Sequence, residues 1–420
     1  MEIVLDYGKK GLKIDLDNAD VFYPSPQKAI ENPVEAIRSK LHAPDFGPTL
    51  KEFFKGKKTV AIAHTDITRA TPNTIIIPLL IEELLAAGAR KEDITLVNMT
   101  GSHRPQTQAE LEGMLTAEVA RNYKCVQHNS FDYSTMTEAG TFGDGNTLYI
   151  NKEFMDADLK ICTGFIEPHF FAGFSGGPKA ILPGLSDIES IMRNHNAARI
   201  ASPLATWGIT EGNPVWENIR EGARIVNPDL LINVAMDTKN CISGVFVGKW
   251  EETHRKGYEF VKRHAMQKVE KEYDIVITTN SGYPLDMNLY QCVKGISTAA
   301  QIVKEGGVII MAGECSDGIP DNSHYHNILK MKNTPEDLFR FIMENETTMP
   351  EQWQAQIQTR IQKRAKVYVY SSLSDDKIKE AIFFPCKDIE KLVANLKGSA
   401  AVLPKGPQTI PYIERSADKS

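Results

Sequence analysis

Apolar and polar positions alternate along the chain in a way that predicts strands and helices in a regular order. The opening EIVLDYGKKGLKIDL alternates around a Gly-Lys-Lys-Gly turn and predicts a hairpin. Apolar runs at 58–66, 93–103 and 159–169 each lead into a polar loop and predict buried strands. Helical periodicity at 74–88 and 111–123 predicts helices between them. This strand–helix–strand order is typical of a mostly parallel sheet flanked by helices.

The last third of the chain repeats this order after a long charged segment. Residues 250–272 predict a connecting helix, and 273–284 predict the first strand of a second sheet. A length of 420 residues also exceeds one ordinary hydrophobic core. We therefore predict two α/β domains, residues 1–270 and 271–420. Further elements of the second domain are a helix at 289–303 and strands at 306–318, 365–373 and 400–406.

Three predicted strands end in loops that carry ionisable side chains. Asp66, His103 and His169 each lie at or just beyond the carboxyl end of such a strand. Ligands of open α/β sheets bind outside the carboxyl ends of the strands, so we expect these loops to converge on one site. The Thr-Asp-Ile-Thr-Arg turn that holds Asp66 also holds Arg69, the preferred partner of carboxylate or phosphate. Helix capping by Thr71 and Pro72 is the alternative interpretation of this turn.

The segment FIEPHFFAGFSGGPKAILPG, residues 165–184, combines glycines, prolines and one lysine. It is not a Walker A loop, because Pro178 precedes the lysine and Ala180 follows it. The interpretation from the residues alone is that Gly173, Gly176 and Gly177 allow close approach of a ligand to the backbone. Lys179 is then either a solvated charge on a surface loop or a point of covalent attachment.

Two further groups of polar side chains lie on predicted helices. His195 lies near the C-terminal end of the helix predicted at 186–196, where it is interpreted either as a partner of the helix dipole or as a metal ligand. No second ligand stands at helical spacing, so most other donors would have to come from elsewhere, such as an organic cofactor. Tyr290, Gln291 and Lys294 share one helix face, which is either solvent-exposed or closes over an anionic substrate.

The charge, the cysteines and the lack of long apolar runs argue against several classes of protein. A formal net charge of −6 gives no reason to bind nucleic acid or an anionic membrane. The six cysteines contain no Cys-x-x-Cys pair, which argues against a zinc ribbon or an iron–sulfur cluster. No run of 18 apolar residues and no signal-peptide core are present, so we expect a cytoplasmic protein.

Taken together, the motifs resemble the nickel-pincer lactate racemase family, which includes other 2-hydroxyacid racemases and epimerases. The resemblance rests on order and spacing: Asp-x-Thr-Arg, Gly-Ser-His-Arg, Glu-Pro-His with a lysine ten residues after the histidine and a histidine sixteen further on, then Tyr-Gln-x-x-Lys. It covers about residues 58–355. It implies a two-domain α/β isomerase with the active site at the interdomain cleft.

The resemblance also implies roles for individual residues. The family cofactor is nickel(II) pyridinium-3,5-bisthiocarboxylic acid mononucleotide, which would be attached to Lys179 and coordinated through nickel by His195. Proteins that make and deliver the cofactor would be partners. Asp66, Ile67, Thr68 and Arg69 would contact the cofactor or the substrate anion. His103 and His169 would be the catalytic acid/base pair, and Arg69, Tyr290, Gln291 and Lys294 would bind a 2-hydroxy acid, with Trp353 nearby.

Two rival functions make different demands on the sequence. A nicotinamide-dependent 2-hydroxyacid dehydrogenase needs a Gly-x-Gly-x-x-Gly motif after a strand, and the nearest segment, Gly-Phe-Ser-Gly-Gly, does not match it. A non-catalytic protein that binds a cofactor or ligand would use the same polar loops without turnover. The identity of the hydroxy acid, with lactate as the default, is open because the residues that contact its distal part cannot be located.

Overall fold

The computed structural model describes residues 1–320 and 323–414 and shows the α/β architecture that the sequence predicts, with two six-stranded sheets. One compact unit, here the N-terminal unit, comprises Pro26–Asn194 and Ile209–Lys262; the other, the C-terminal unit, comprises Met1–Ser25, His195–Gly208 and Arg263–Ser420. The units are discontinuous in sequence, whereas the predicted domains, 1–270 and 271–420, are each one segment. Strand pairing explains part of this arrangement, because Asp20 pairs with Ala401.

The strands, in chain order, are β1 (Glu2–Leu5), β2 (Leu12–Asp15), β3 (Asp20–Val21), β4 (Val60–Thr65), β5 (Ile94–Met99), β6 (Lys124–Gln127), β7 (Met136–Thr141), β8 (Thr147–Asn151), β9 (Leu159–Ile166), β10 (Pro168–His169), β11 (Gly173–Phe174), β12 (Leu230–Met236), β13 (Ile242–Gly248), β14 (Met266–Lys268), β15 (Tyr273–Thr279), β16 (Val303–Ala312), β17 (Lys366–Tyr370), β18 (Phe384–Cys386), β19 (Ala400–Leu403) and β20 (Ile410–Tyr412).

The α-helices, in the same order, are α1 (Pro33–His42), α2 (Leu50–Phe54), α3 (Asn73–Ala86), α4 (Gln108–Leu115), α5 (Ala117–Asn122), α6 (Lys152–Met155), α7 (Ile188–Asn194), α8 (Ala197–Ala201), α9 (Pro214–Val226), α10 (Trp250–Ala265), α11 (Leu289–Ala299), α12 (His324–Leu329), α13 (Pro335–Glu344), α14 (Gln352–Gln362), α15 (Asp375–Glu380) and α16 (Ile389–Asn395).

The sheet of the N-terminal unit has the strand order β13-β12-β9-β4-β5-β6. Its strands run parallel except β13, which is antiparallel to β12. Strands β4, β9 and β12 are buried along nearly their whole length, which explains their continuous apolar runs. Helices α1 to α4 contribute apolar side chains to the core on this sheet.

The sheet of the C-terminal unit has the order β18-β17-β16-β15-β19-β3 and is parallel throughout. The predicted N-terminal hairpin is confirmed as β1 and β2, which pair in antiparallel register. The side chains of Ile3, Leu5, Ile14 and Leu16 pack into the core of this sheet. This packing places the first residues of the chain in the C-terminal unit.

Several predicted helices are shorter in the structure, and two of them show the reason. The segment 111–123 breaks at Thr116, whose φ of 79° cannot continue a helix and whose side chain caps α5 by accepting from the Val119 N–H. The charged helix predicted over 250–272 ends at Ala265, because the chain then forms β14 beside β20. None of the described helices combines the length and apolar character that crossing a membrane requires.

Candidate active site

The three loops predicted to converge follow neighbouring strands. Strand β4 lies between β9 and β5, and the three are parallel, so their carboxyl ends meet at one edge of the sheet. Asp66 directly follows β4, His103 follows β5, and His169 lies in the short strand after β9. The sheet therefore brings the loops that carry these side chains to a common edge, as the sequence predicts.

Asp66 and His103 form a hydrogen-bonded pair at this edge. The Asp66 side chain is 3% exposed, and its Oδ2 lies 2.7 Å from Nδ1 of His103. Its Oδ1 accepts from the hydroxyl of Thr68 at 2.7 Å. Burial alone would raise the pKa of Asp66, but the hydrogen bond and charge of His103, together with Thr68 and Arg69, lower it below its usual value.

The ionised carboxylate determines the tautomer of His103. An ionised carboxylate only accepts hydrogen bonds, so Nδ1 of His103 must carry the hydrogen and donate it. In the neutral ring Nε2 is then left with a lone pair that can take a proton from a ligand. The His103 side chain is 46% exposed, so a ligand can reach it. This arrangement suits a general base.

The turn after Asp66 borders an open cavity of about 570 Å³ in the N-terminal unit. Ile67, Arg69 and Thr71 lie on one wall, and residues of α4 line another. The predicted cap is wrong: α3 begins at Asn73 with Pro72 as its N-cap, and no described side chain caps it. Thr71 is buried, and its hydroxyl oxygen has no hydrogen-bond partner among the residues that the structure describes. A helix N-terminus beside an arginine and an unsatisfied hydroxyl suits an anionic group.

His169 lies in a two-residue hairpin, where β10 pairs with β11. Its Nδ1 accepts from the N–H of Ala172 at 3.3 Å, so in the neutral ring Nε2 carries the hydrogen. The ring meets Phe171 edge-on, with centroids 4.5 Å apart. Lys179 lies in a 3-10 turn with its ammonium nitrogen 5.6 Å from the same Phe171 ring. Sequence reasoning did not single out Phe171, although the Phe-Phe pair after His169 was a visible signal.

The glycines of this loop are required by the packing of the protein around them. Gly173, Gly176 and Gly177 have φ values of 74°, 73° and 51°, a region that favours glycine. Each is closely packed against the protein in the direction that a Cβ would take. A Cβ added to Gly173 would lie 2.2 Å from the Ile209 carbonyl oxygen. A Cβ on Gly176 would lie 2.6 Å from Asn233 Oδ1, and one on Gly177 would lie 2.3 Å from the His254 ring. That a ligand also approaches their backbone stays a prediction.

The C-terminal unit contains the other predicted residues. His195 is 6% exposed, and its ring lies 4.7 Å from the ring of Trp353. Tyr290, Gln291 and Lys294 lie on α11, which is capped by Asn288 through the Gln291 N–H. Among the described residues, no cluster of three or more histidine, cysteine, aspartate or glutamate side chains is arranged to hold a metal ion.

Comparison with known proteins gives consistent matches along the chain. Residues 7–208 match the lactate racemase N-terminal domain, and residues 268–402 match the lactate racemase C-terminal domain. The chain is 35% identical over 407 residues to lactate racemase of Thermoanaerobacterium thermosaccharolyticum, covering 95% of this chain and 91% of that protein. It is 39% identical over 344 residues to lactate racemase of Lactiplantibacillus plantarum, covering 81% of this chain and 80% of the relative.

The fold resembles that of solved structures. The lactate racemase apoprotein of T. thermosaccharolyticum superposes with a TM-score of 0.92 at 34% identity, covering 99% of this chain and 100% of that one. A Thermotoga maritima protein superposes with a TM-score of 0.70 at 18% identity, covering 93% and 100%, which shows a shared fold alone. The matches to both domains, together with identities above one third over most of its length, show that this chain belongs to the lactate racemase family of isomerases.

Proposed function

We propose that this chain inverts C2 of a 2-hydroxy acid, with lactate as the default substrate. The observation that carries the proposal is the pair of Asp66 and His103, which leaves Nε2 of an exposed histidine able to accept a proton. The loop that bears His169 lies at the same sheet edge. The sequence similarity to lactate racemases over both domains supports the same reaction.

Family membership implies the nickel-pincer mononucleotide, and features of the N-terminal unit fit such a group. The cavity beside Arg69, the uncapped start of α3 and the unsatisfied Thr71 hydroxyl suit the phosphate of a mononucleotide. Lys179 would carry the covalent attachment. Asp66, Ile67, Thr68 and Arg69 would lie against the group.

His195 would be the protein ligand of nickel. It belongs to no cluster of three or more metal-ligating side chains among the described residues, so the other donors would come from the cofactor. Cofactor-synthesis and delivery proteins would then be partners. When bound, this group would supply a reversible hydride acceptor for C2 of the substrate.

The side chains of the protein then have separate tasks. His103 takes the hydroxyl proton of one enantiomer at Nε2, and Asp66 faces the positive charge that this transfer creates. His169 exchanges the proton of the hydroxyl group in its other position, because inversion moves that oxygen. Lys294 and Arg69 bind the substrate carboxylate, and Tyr290 and Gln291 hold the molecule while its planar 2-keto form turns.

The test is chiral chromatography of a panel of 2-hydroxy acids incubated with cofactor-loaded protein in the absence of nicotinamide. We expect at least one acid, lactate first, to reach a racemic mixture from either enantiomer. Acids that stay unchanged in this assay and are converted to 2-keto acids only after a nicotinamide cofactor is added would instead identify a dehydrogenase. Protein that carries the cofactor but inverts none of the acids would support a binding protein.

A further inference from the structure

Helix α14 buries an unusual number of glutamine side chains. Within its sequence QWQAQIQTRIQ, the side chains of Gln352, Gln354, Gln356 and Gln358 are all 0–1% exposed. Glutamine is seldom fully buried, because an amide that leaves water must recover its hydrogen bonds in the protein. The partners of these amides therefore indicate what the helix holds.

One row of side chains on α14 points toward the chain that follows His195. Gln356 and Arg360 are four residues apart and share a helix face. Gln356 Nε2 donates to the Ala197 carbonyl at 2.7 Å, and Arg360 donates to the Ile200 carbonyl at 2.8 Å. Both carbonyls belong to α8, which begins two residues after His195. The Trp353 ring, 4.7 Å from the His195 ring, adds a direct contact.

A second row on α14 holds the helix that carries the predicted substrate-binding residues. Gln354 donates from its Nε2 to the carbonyl of Tyr290 in the first turn of α11. Gln358 accepts from the hydroxyl of Tyr325, whose ring meets the Tyr290 ring edge-on at 5.4 Å. These contacts all lie within the C-terminal unit.

We propose that α14 is a common support on which Gln356 and Arg360 position His195, while Gln354 positions Tyr290 and the rest of α11. This inference rests on the proposed function, in which His195 binds nickel and α11 binds the substrate. Directional amide bonds to backbone carbonyls specify one register between two helices, whereas apolar side chains alone specify it less strictly. A metal ligand needs such support, because productive geometry is held within about 0.5 Å.

The experiment compares single substitutions in the cofactor-loaded protein. Gln356→Met keeps the length of the side chain and removes its donor, so we expect nickel to be lost to a chelator at least about tenfold faster. The covalent adduct measured by intact mass stays, and KM stays close to the wild-type value. Gln354→Met should leave nickel retention unchanged and raise KM for the hydroxy acid about fivefold or more, because Gln354 holds α11 and not α8.

Gln362→Met is the matched control, because Gln362 is on the same helix and donates to a carbonyl, that of Ile382, at 2.6 Å. Neither that bond nor the one that its Oε1 accepts from Gln358 at 3.2 Å reaches α8 or α11. Gln358 keeps its bonds to Tyr325 and to the Ala381 carbonyl, so both readouts should equal those of the wild type. Should Gln356→Met not fold, Arg360→Lys keeps the charge and loses the Nη1 group that donates to the carbonyls of Ile200 and Ser202. Accelerated nickel loss is expected there too.

The outcomes separate this inference from the proposed function. The inference alone would be overturned if the wild-type protein holds nickel and the Gln356→Met and Arg360→Lys variants hold it equally well. Equal changes in nickel retention and KM in the Gln354, Gln356 and Gln362 variants would also overturn it, since they would report general destabilisation. A loaded wild-type protein without nickel would overturn the proposed function and the inference together.

Discussion

Replacing Asp66 with asparagine tests the assignment of His103 as a base. The substitution keeps the shape of the side chain but removes its negative charge. The Asp66 side chain is 3% exposed, and its Oδ2 lies 2.7 Å from Nδ1 of His103. The substitution also permits the amide to donate to Nδ1, which would put the ring hydrogen on Nε2 and block proton acceptance. A hydrogen bond to a charged group contributes about 1.5–3 kcal/mol, and about 1.4 kcal/mol is a tenfold change in rate, so we expect kcat to fall about 10- to 150-fold.

The assay measures kcat and KM from each enantiomer of lactate, with cofactor content determined by intact mass. We expect the loss in both directions, because each turnover of the proposed reaction uses both histidines, and we expect the adduct to be unchanged. Glu112→Gln, which removes a surface ion pair with Arg121 in the same unit, is the control and should leave kcat unchanged. A kcat of Asp66→Asn within about twofold of the wild-type value would refute the reasoning. Loss of the adduct would show that Asp66 is needed to retain the cofactor, and the fall in kcat would then report cofactor loss and not the loss of a base.

The same substitution has a defined pH dependence. The surroundings lower the pKa of Asp66 in the folded protein below its usual 3.8. A carboxyl group whose pKa is lower in the folded state stabilises the protein above about pH 3.8, and this stabilisation is lost as the pH falls through the folded value. Urea unfolding should therefore show a larger difference between wild type and Asp66→Asn near neutral pH than below about pH 3. An equal difference at both pH values would contradict the assignment.

The remaining predictions concern the other parts of the site. His103→Ala and His169→Ala should each lower turnover about 100-fold or more while the cofactor stays bound, and full activity in both would exclude a two-base mechanism. Lys179→Ala should abolish the added mass of the covalent cofactor, and the same added mass on wild type and variant would contradict the attachment site. Gly173→Ala should lower the free energy of unfolding by more than about 2 kcal/mol, because φ is 74° and the new Cβ would meet backbone. Gly145→Ala, with φ of 86° and no atom within 4 Å of the new Cβ, should cost about 1–2 kcal/mol, and equal losses would refute the packing argument.

Much of the fold was predictable because buried parallel strands leave a direct signature. The apolar runs that precede Asp66, His103 and His169 became β4, β5 and β9 with ends within a few residues of those predicted. Their polar loops had to share an edge once the sheet was parallel. The pairing of Asp66 with His103 was not predictable, because it depends on β4 and β5 being neighbours in the sheet. The hydrophobic pattern within a segment does not indicate which strands are neighbours.

Other features depend on contacts between distant segments. Nothing near Gly173 in sequence indicates the Ile209 carbonyl that excludes a side chain there. The alternating glutamines of α14 have a period of two, yet in a helix they form two rows that hold α8 and α11. The grouping of residues 1–25 with the C-terminal unit similarly arises from β-strand pairing across the chain.

The central claim is that hydride leaves C2 of the substrate and returns to it within the site. L-lactate carrying deuterium at C2, incubated with cofactor-loaded protein in ordinary water, tests this directly when the D-lactate formed is analysed by mass spectrometry. The proposed reaction predicts D-lactate that retains the deuterium, because a transferred hydride does not exchange with solvent. D-lactate that carries solvent hydrogen at C2 would show that a proton is abstracted instead, and would contradict the account.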